Sequence, residues 1–283
     1  MTKASLKGIV DLHIHTAPDI RERRYTDFDL ARAAVKAGAR AVVIKSHHGT
    51  TMNRAFLTNL YAKEVLGATD FEMFGGIVMN RAVGGINPYA VETAIKMGAK
   101  IVWLPTLEAD NHIAKHNGKG EGVVSVVGGK VVEPLKEVFR IVRDNDVVFE
   151  TGHISHSDVF VVVEAAREAG VKKILITHAE FRPIGMSFEE QVKLVKDYGV
   201  LLERCFAQPV GGGKYISNLE DNLRVIREIG HEHIVVATDG GQVENPPWED
   251  ALTQYIQYLL DNGITQEQID VMTKKNPGGL LGI

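Results

Sequence analysis

Asp11-Leu12-His13-Ile14-His15 carries two imidazoles two residues apart at the end of a short apolar run. In a β-strand, positions i and i+2 share a face, so His13 and His15 converge while Leu12 and Ile14 face the packed side. Two convergent neutral imidazoles suit a divalent metal such as zinc. A His-x-His pair is common by itself; its weight here comes from where the other histidines and acids fall. His153, His178 and Asp239 each follow a short β-branched run, as do Lys45, His47, His48, Asn80, Arg81, Glu108 and Glu150.

The elements that would position these groups repeat along the chain. An amphipathic stretch ends in glycine and gives way to a short apolar run at Gly38 before Ala41–Ile44, Gly67 before Phe71–Phe74 and Gly98 before Ile101–Leu104. The pattern returns at Gly170 before Ile174–Ile176, Gly199 before Val200–Leu202 and Gly230 before Ile234–Val236, with Asn145 in the glycine's place before Val147–Phe149. Glycine ends helices because the position after the last turn often needs positive φ, and asparagine is the next most tolerant residue. Ser187–Glu190 and Ser217–Glu220 read as capping boxes, Thr265–Gln268 as a weaker one, and Pro88 as a first helical turn. With the strand carrying His13, the runs predict eight strands alternating with helices. Parallel strands with right-handed crossovers follow, and the spacing fits an α/β fold, a (β/α)8 TIM barrel forming a single domain over residues 1–283. An open doubly wound sheet is the alternative. It is disfavoured because no Gly-x-Gly-x-x-Gly follows the first strand.

The polar groups sort to one end of the predicted strands, whereas the strand starts are aliphatic apart from charged residues at the helix exits. In a barrel enzyme that end carries the active site. Burying Lys, Glu and Asp there costs several kcal/mol unless they are paired or metal-bound.

The arrangement resembles the amidohydrolase superfamily of metal-dependent hydrolases. That family's pattern has His-x-His on strand one, a histidine ending each of strands five and six, and an aspartate ending strand eight. His13, His15, His153, His178 and Asp239 stand at those places, and Asn276-Pro277-Gly278-Gly279-Leu280-Leu281-Gly282 resembles the segment that closes many members. The resemblance spans the whole chain and implies a divalent metal, zinc before manganese or iron. Asp239 would touch the metal and take a proton from the attacking water. His178 would serve as a second-metal ligand or orient the water. One departure bears on the metal count: strand four ends in Thr106 and Glu108 rather than in the bridging lysine or glutamate of many two-metal members. A single metal is therefore the expectation, with Glu108, Glu150 or a modified Lys45 able to support a second.

Lys45, after Val42-Val43-Ile44, ends an interior-facing row. Two readings stand evenly: a lysine paired with Glu150 or another barrel acid, and a catalytic electrophile or anion anchor. His153 is preferred as ligand over His156, which is expected to open the next helix. His47, His48, Asn80, Arg81 and Arg54 are candidate substrate-binding residues. With Arg21, Arg23, Arg24 and Arg182 on neighbouring loops, they hint at an anionic substrate. Val123–Val127, Gly128-Gly129 and Lys130–Val132 predict a β-hairpin within an insertion at Gly118–Glu133 after strand four, read either as a lid or as a subunit contact.

Composition narrows the partners. A formal charge of -4 leaves no footprint for nucleic acid or an anionic membrane, and no apolar run reaches the ~18 residues of a membrane span. The N-terminal Met1–Gly8 shows no signal-peptide core, and the lone Cys205 fits a reducing, cytoplasmic setting. A small-molecule substrate is expected, and a homo-oligomer is compatible with a barrel of this size. The function expected first is hydrolysis of a C–N or C–O bond. The rivals are a one-metal decarboxylase or hydratase on a carboxylated substrate, a phosphoesterase of the histidinol-phosphatase type, and a non-catalytic metal-binding barrel. The phosphoesterase ranks lower because Pro18-Asp19 and arginines fill the stretch where that family places more histidines.

Overall fold

In the computed structural model the described residues are 3–116, 118, 121–211 and 213–283. Met1 and Thr2 of the N-terminal stretch, and Lys119 and Gly120 of the insertion, lie outside them. In chain order the strands are β1 (Val10–His15), β2 (Ala41–Lys45), β3 (Glu72–Phe74), β4 (Gly76–Val78), β5 (Ile101–Trp103), β6 (Val126–Val127), β7 (Lys130–Val131), β8 (Val148–Glu150), β9 (Ile174–Ile176), β10 (Leu201–Cys205), β11 (Ala207–Gly211), β12 (Lys214–Ser217) and β13 (Ile234–Ala237). The helices are α1 (Asp27–Ala37), α2 (Met52–Glu64), α3 (Pro88–Lys96), α4 (Asp110–Lys115), α5 (Glu133–Asn145), α6 (His156–Glu168), α7 (Phe188–Tyr198), α8 (Leu219–Ile229), α9 (Trp248–Asp261), α10 (Gln266–Asp270) and α11 (Asn276–Leu281). Every predicted strand run forms a strand, and the α/β alternation holds along the chain. No helix among the described residues is long and apolar enough to cross a membrane.

The chain divides into two compact units. The first comprises residues 1–45, 53–75 and 204–283; the second comprises 46–52 and 76–203. In the first, β1 pairs in parallel with β2, and β2 with β3. The segment just after β13 joins the other side of β1 through a parallel bridge between Ile14 and Gly240. The register between β1 and β2 slips between Asp11 and Ile14, so β1 carries one extra residue there. Such bulges re-aim side chains and recur beside active sites. Every residue of β1 and β2 is buried, including Asp11, His13, His15 and Lys45. The Asn276 side chain explains the closing segment: its Nδ2 donates to the carbonyls of Ile234 at 2.7 Å and Glu232 at 3.1 Å, clamping α11 to the start of β13.

In the second unit the sheet order is β4-β5-β8-β9-β10, all parallel. Gly76 in β4 is required by packing, since a Cβ there would lie 2.3 Å from the Ile101 carbonyl oxygen. The predicted insertion hairpin forms between β6 and β7, antiparallel, with Gly128 and Gly129 at positive φ in its turn.

Several local expectations need correction. The third predicted strand is two three-residue strands, β3 and β4, with Gly75 between them. The left-handed cap after α5 is Asp146 (φ 51°), one residue beyond Asn145, which is the last helical residue. Ser217 does not cap α8: it ends β12, and the cap position is Asn218, whose side chain makes no cap bond. The boxes at Ser187/Glu190 and Thr265/Gln268 form as expected, and Pro88 opens α3. The β11–β12 hairpin was not anticipated, although Gly211 and Gly213 between two short apolar stretches mark a turn there.

Candidate metal centre

In the first unit three donor atoms form a nearly equilateral triangle. His13 Nε2 and His15 Nε2 are 3.3 Å apart, and each lies 3.3 Å from Asp239 Oδ1. Ligands at the ~2.0–2.1 Å bond length of zinc, arranged tetrahedrally, sit about 3.3–3.4 Å from one another. The donor set therefore fits one such ion in both spacing and chemistry. Burial pushes the His13 imidazole down to about 3, with the Lys45 cation adding to the effect and Asp239 opposing it. Burial, then the charge of Arg23, holds His15 well below its usual value. Both rings are thus neutral nitrogen donors at physiological pH.

Local structure explains how these groups converge. Asp11 lies under the pair. Its Oδ1 accepts from the backbone N–H of His13 at 3.1 Å and of Thr238 at 3.3 Å. Its Oδ2 accepts from Thr238 Oγ1 at 2.7 Å and Trp248 Nε1 at 2.9 Å. One buried carboxylate thereby ties β1 to β13 and α9, and burial raises its pKa to about 6 against those hydrogen bonds. Asp239 follows β13 in a left-handed conformation (φ 47°), uncommon for a residue with a side chain and recurrent at functional sites. Gln242 fixes its carboxylate, donating from Nε2 to Asp239 Oδ1 at 3.1 Å and to the Asp239 carbonyl at 3.2 Å. Arg23 in turn donates to Gln242 Oε1 and, through Nε, to Asp19 Oδ2 at 2.8 Å. Gln242 and Asp19 were missed by sequence reasoning, because only the fold brings these two loops side by side.

Lys45 Nζ lies 3.1 Å from His13 Nε2, which places the lysine at the metal donors within this unit. Arg54 has other employment: Nε and Nη2 grip the Asp27 carboxylate at 2.8 and 2.7 Å, and Nη2 also donates to Thr16 Oγ1 at 2.8 Å and the Ala17 carbonyl at 3.0 Å. Arg24 donates to the carbonyls of Val243 and Asn245, and Arg21 is exposed. Arg24 and Arg54 thus brace loops, which weakens the sequence-based hint of an anionic substrate.

The second unit gathers its own histidines. The rings of His153 and His178 have centroids 5.0 Å apart, and Phe181 packs on both, at 5.2 and 4.8 Å. His47 lies 6.0 Å from His153 by ring centroid, and its Nδ1 is 2.8 Å from Thr106 Oγ1. Asn80 is fully buried. Its Nδ2 donates to Thr106 Oγ1 at 2.8 Å and the His47 carbonyl at 3.0 Å, while its Oδ1 accepts from the Thr106 N–H at 2.8 Å. Asn80 thus holds His47 in place. Arg81 is exposed, and its N–H donates to Glu108 Oε2 at 2.7 Å. Arg182 is exposed as well, and His48 is half-buried beside His47. Glu150 accepts from Trp103 Nε1 at 2.6 Å and Thr177 Oγ1 at 3.0 Å. His156 opens α6 and meets Glu190 at 2.7 Å, which leaves His153 as the buried histidine of that loop. His112 and His116 escaped the sequence reading, although their i, i+4 spacing was visible on a short helix.

The fold is that of amidohydrolase-type enzymes. Among solved structures the chain is similar to an amidohydrolase from Pseudomonas aeruginosa, with a TM-score of 0.67 and 13% identity over 97% of this chain and 95% of that one. It is also similar to an organophosphorus hydrolase from Deinococcus radiodurans (TM-score 0.61, 16% identity, 97% and 92% covered). A third similar structure is a 2,6-dihydroxybenzoate decarboxylase from Rhizobium (0.57, 11%, 98% and 99%). By sequence, the chain belongs to the family of unknown function DUF6282, whose model matches residues 8–203. No curated protein matches it.

Proposed function

We propose that the protein is a metal-dependent hydrolase of the amidohydrolase type, acting on a C–N or C–O bond of a small molecule, with residues 1–283 as one catalytic barrel. The observation that carries the reading is the 3.3 Å triangle of His13 Nε2, His15 Nε2 and Asp239 Oδ1. A bound divalent ion, zinc first, would supply Lewis acidity and bring the pKa of a water to roughly 7. His13 and His15 would hold it as neutral donors, their lone pairs kept available by burial. His153 is assigned as the remaining donor on its order along the chain, and His178 as the residue that would orient a water or, in a two-metal site, hold the second ion. Asp239, held by Gln242, accepts the proton of the attacking water at a carboxylate oxygen. Lys45 supplies the positive charge for an anionic group or a developing negative charge on the substrate. The lone buried Cys205 suits a reducing, cytoplasmic setting.

A decarboxylase or hydratase on a carboxylated substrate is the second reading. It is favoured by the Lys45 cation beside the donors and by the likeness in fold to the 2,6-dihydroxybenzoate decarboxylase. Product analysis separates the two, since carbon dioxide release marks the second and paired cleavage fragments mark the first.

The primary test is metal content by plasma mass spectrometry on protein purified without chelator, beside the His13→Ala/His15→Ala double variant. One or two equivalents of zinc, manganese or iron, absent from the variant, is the expected result. Wild-type protein that stays metal-free after reloading with divalent ions overturns the reading.

A further inference from the structure

His112 and His153 meet nitrogen to nitrogen. Their Nδ1 atoms are 3.0 Å apart, and the rings lie nearly parallel, with centroids 4.8 Å apart and 28° between planes. Two imidazoles can share a hydrogen bond through Nδ1 only if one carries its proton there and the other does not. The contact therefore fixes a tautomer on each ring.

The surroundings hold His112 where this choice matters. Both rings are buried. His116, one turn further along, stacks on His112 at 4.2 Å and 19°, and its Nδ1 lies 3.1 Å from the His112 carbonyl oxygen. Asn111, the preceding residue, donates from Nδ2 to the His153 carbonyl at 3.1 Å and the Pro183 carbonyl at 2.8 Å. The His153 N–H is itself held by the Pro105 carbonyl at 2.9 Å. The start of α4 is thus pinned to the backbone of the residue whose ring it meets.

We propose that His112 is a positioning residue for His153: its Nδ1 accepts the Nδ1–H of His153, which keeps His153 in the Nδ1–H tautomer with Nε2 as its basic nitrogen. The opposite assignment would place the proton on His153 Nε2 and remove that nitrogen as a donor. The inference rests on the reading of His153 as a metal donor. A metal-binding histidine usually gives its second N–H to a carboxylate, a carbonyl or a water. An imidazole in that place fixes the orientation of His153 without adding negative charge behind it.

The test reads the tautomer directly. Long-range proton–nitrogen NMR on histidine-labelled, metal-free protein is compared among wild type, His112→Ala and His112→Asn, whose Oδ1 can stand near the position of Nδ1 as an acceptor. Zinc affinity of each is measured by competition with a chromophoric chelator. The expected result is the Nδ1–H form of His153 in wild type and in His112→Asn, and a mixed or Nε2–H form in His112→Ala. Zinc binding should weaken roughly 10- to 100-fold in His112→Ala and recover in His112→Asn. An Nε2–H tautomer in wild type overturns the inference without recourse to any variant, as does a tautomer unchanged in His112→Ala. Wild-type protein that binds no zinc defeats the metal reading alone, because the tautomer result still decides the part played by His112.

Discussion

Lys45 Nζ and Asp239 Oδ1 approach the same atom, His13 Nε2, at 3.1 and 3.3 Å. The lysine thus contacts the nitrogen whose lone pair a metal would need, and its charge helps to keep that ring neutral. Ammonium and metal would be rivals for one lone pair, so an ion bound there would require the lysine to turn aside.

Replacing Lys45 with methionine should therefore tighten zinc binding about tenfold while lowering turnover. Tenfold is about 1.4 kcal/mol, a modest share of the roughly 4 kcal/mol that two unit charges 4 Å apart feel at an effective dielectric of 20. Competition titration reads the affinity. Weaker binding in Lys45→Met would show that the lysine reaches the metal as a ligand, after modification of its amine.

Arg54 should prove to be a brace. Its side chain and that of Asp27 are only 16% and 13% exposed, so the pair is poorly screened. A double-mutant cycle with Arg54→Ala and Asp27→Ala, read by chemical denaturation, should give a coupling of about 1–3 kcal/mol. A coupling near zero would return Arg54 to the pool of candidate substrate contacts.

The joint between β1 and β13 should tolerate no side chain at Gly241. Its φ is +89°, and a Cβ would lie 1.7 Å from the His15 carbonyl oxygen. Gly241→Ala should cost about 3 kcal/mol or more and loosen metal retention. Gly199→Ala is the control: it also has positive φ but nothing within 4 Å of the added carbon, so it should cost only about 1–2 kcal/mol. Equal losses at the two positions would mean that backbone conformation alone, and not the approach to His15, sets the requirement.

Chelation should lower the melting temperature of the wild type and leave the His13→Ala/His15→Ala variant unmoved. An ion bound at 100 times its Kd stabilises the folded state by about 2.7 kcal/mol. Parallel shifts in the two proteins would place the metal elsewhere.

The strands and their polar ends could be read from the sequence because both signals are local. Val42-Val43-Ile44 and Ile174-Leu175-Ile176 are β-branched or leucine runs that follow a glycine stop, and the residue type at each run's end is visible without any contact map. What escaped was pairing over distance. Nothing near Arg54 in sequence announces Asp27, and nothing near Asp239 announces that Arg23 will hold Gln242 against it. The bulge in β1 is equally silent, because it exists only relative to the register of β2. His112 and His116 were legible as a spacing, but their place beside His153 depends on how a six-residue helix is set down after β5.

The unit that holds the donor triangle draws on three stretches of chain, the last of which begins at residue 204. During synthesis, Asp239 follows His13 and His15 by more than 200 residues. Over that interval a nascent chain offers two imidazoles without their carboxylate, and Ile14 in β1 waits as long for its bridge to Gly240. A metal held by this triangle would have to wait for the Asp239 segment, and a chain cut short before it would offer an unfinished chelate and lack the Ile14–Gly240 bridge on β1.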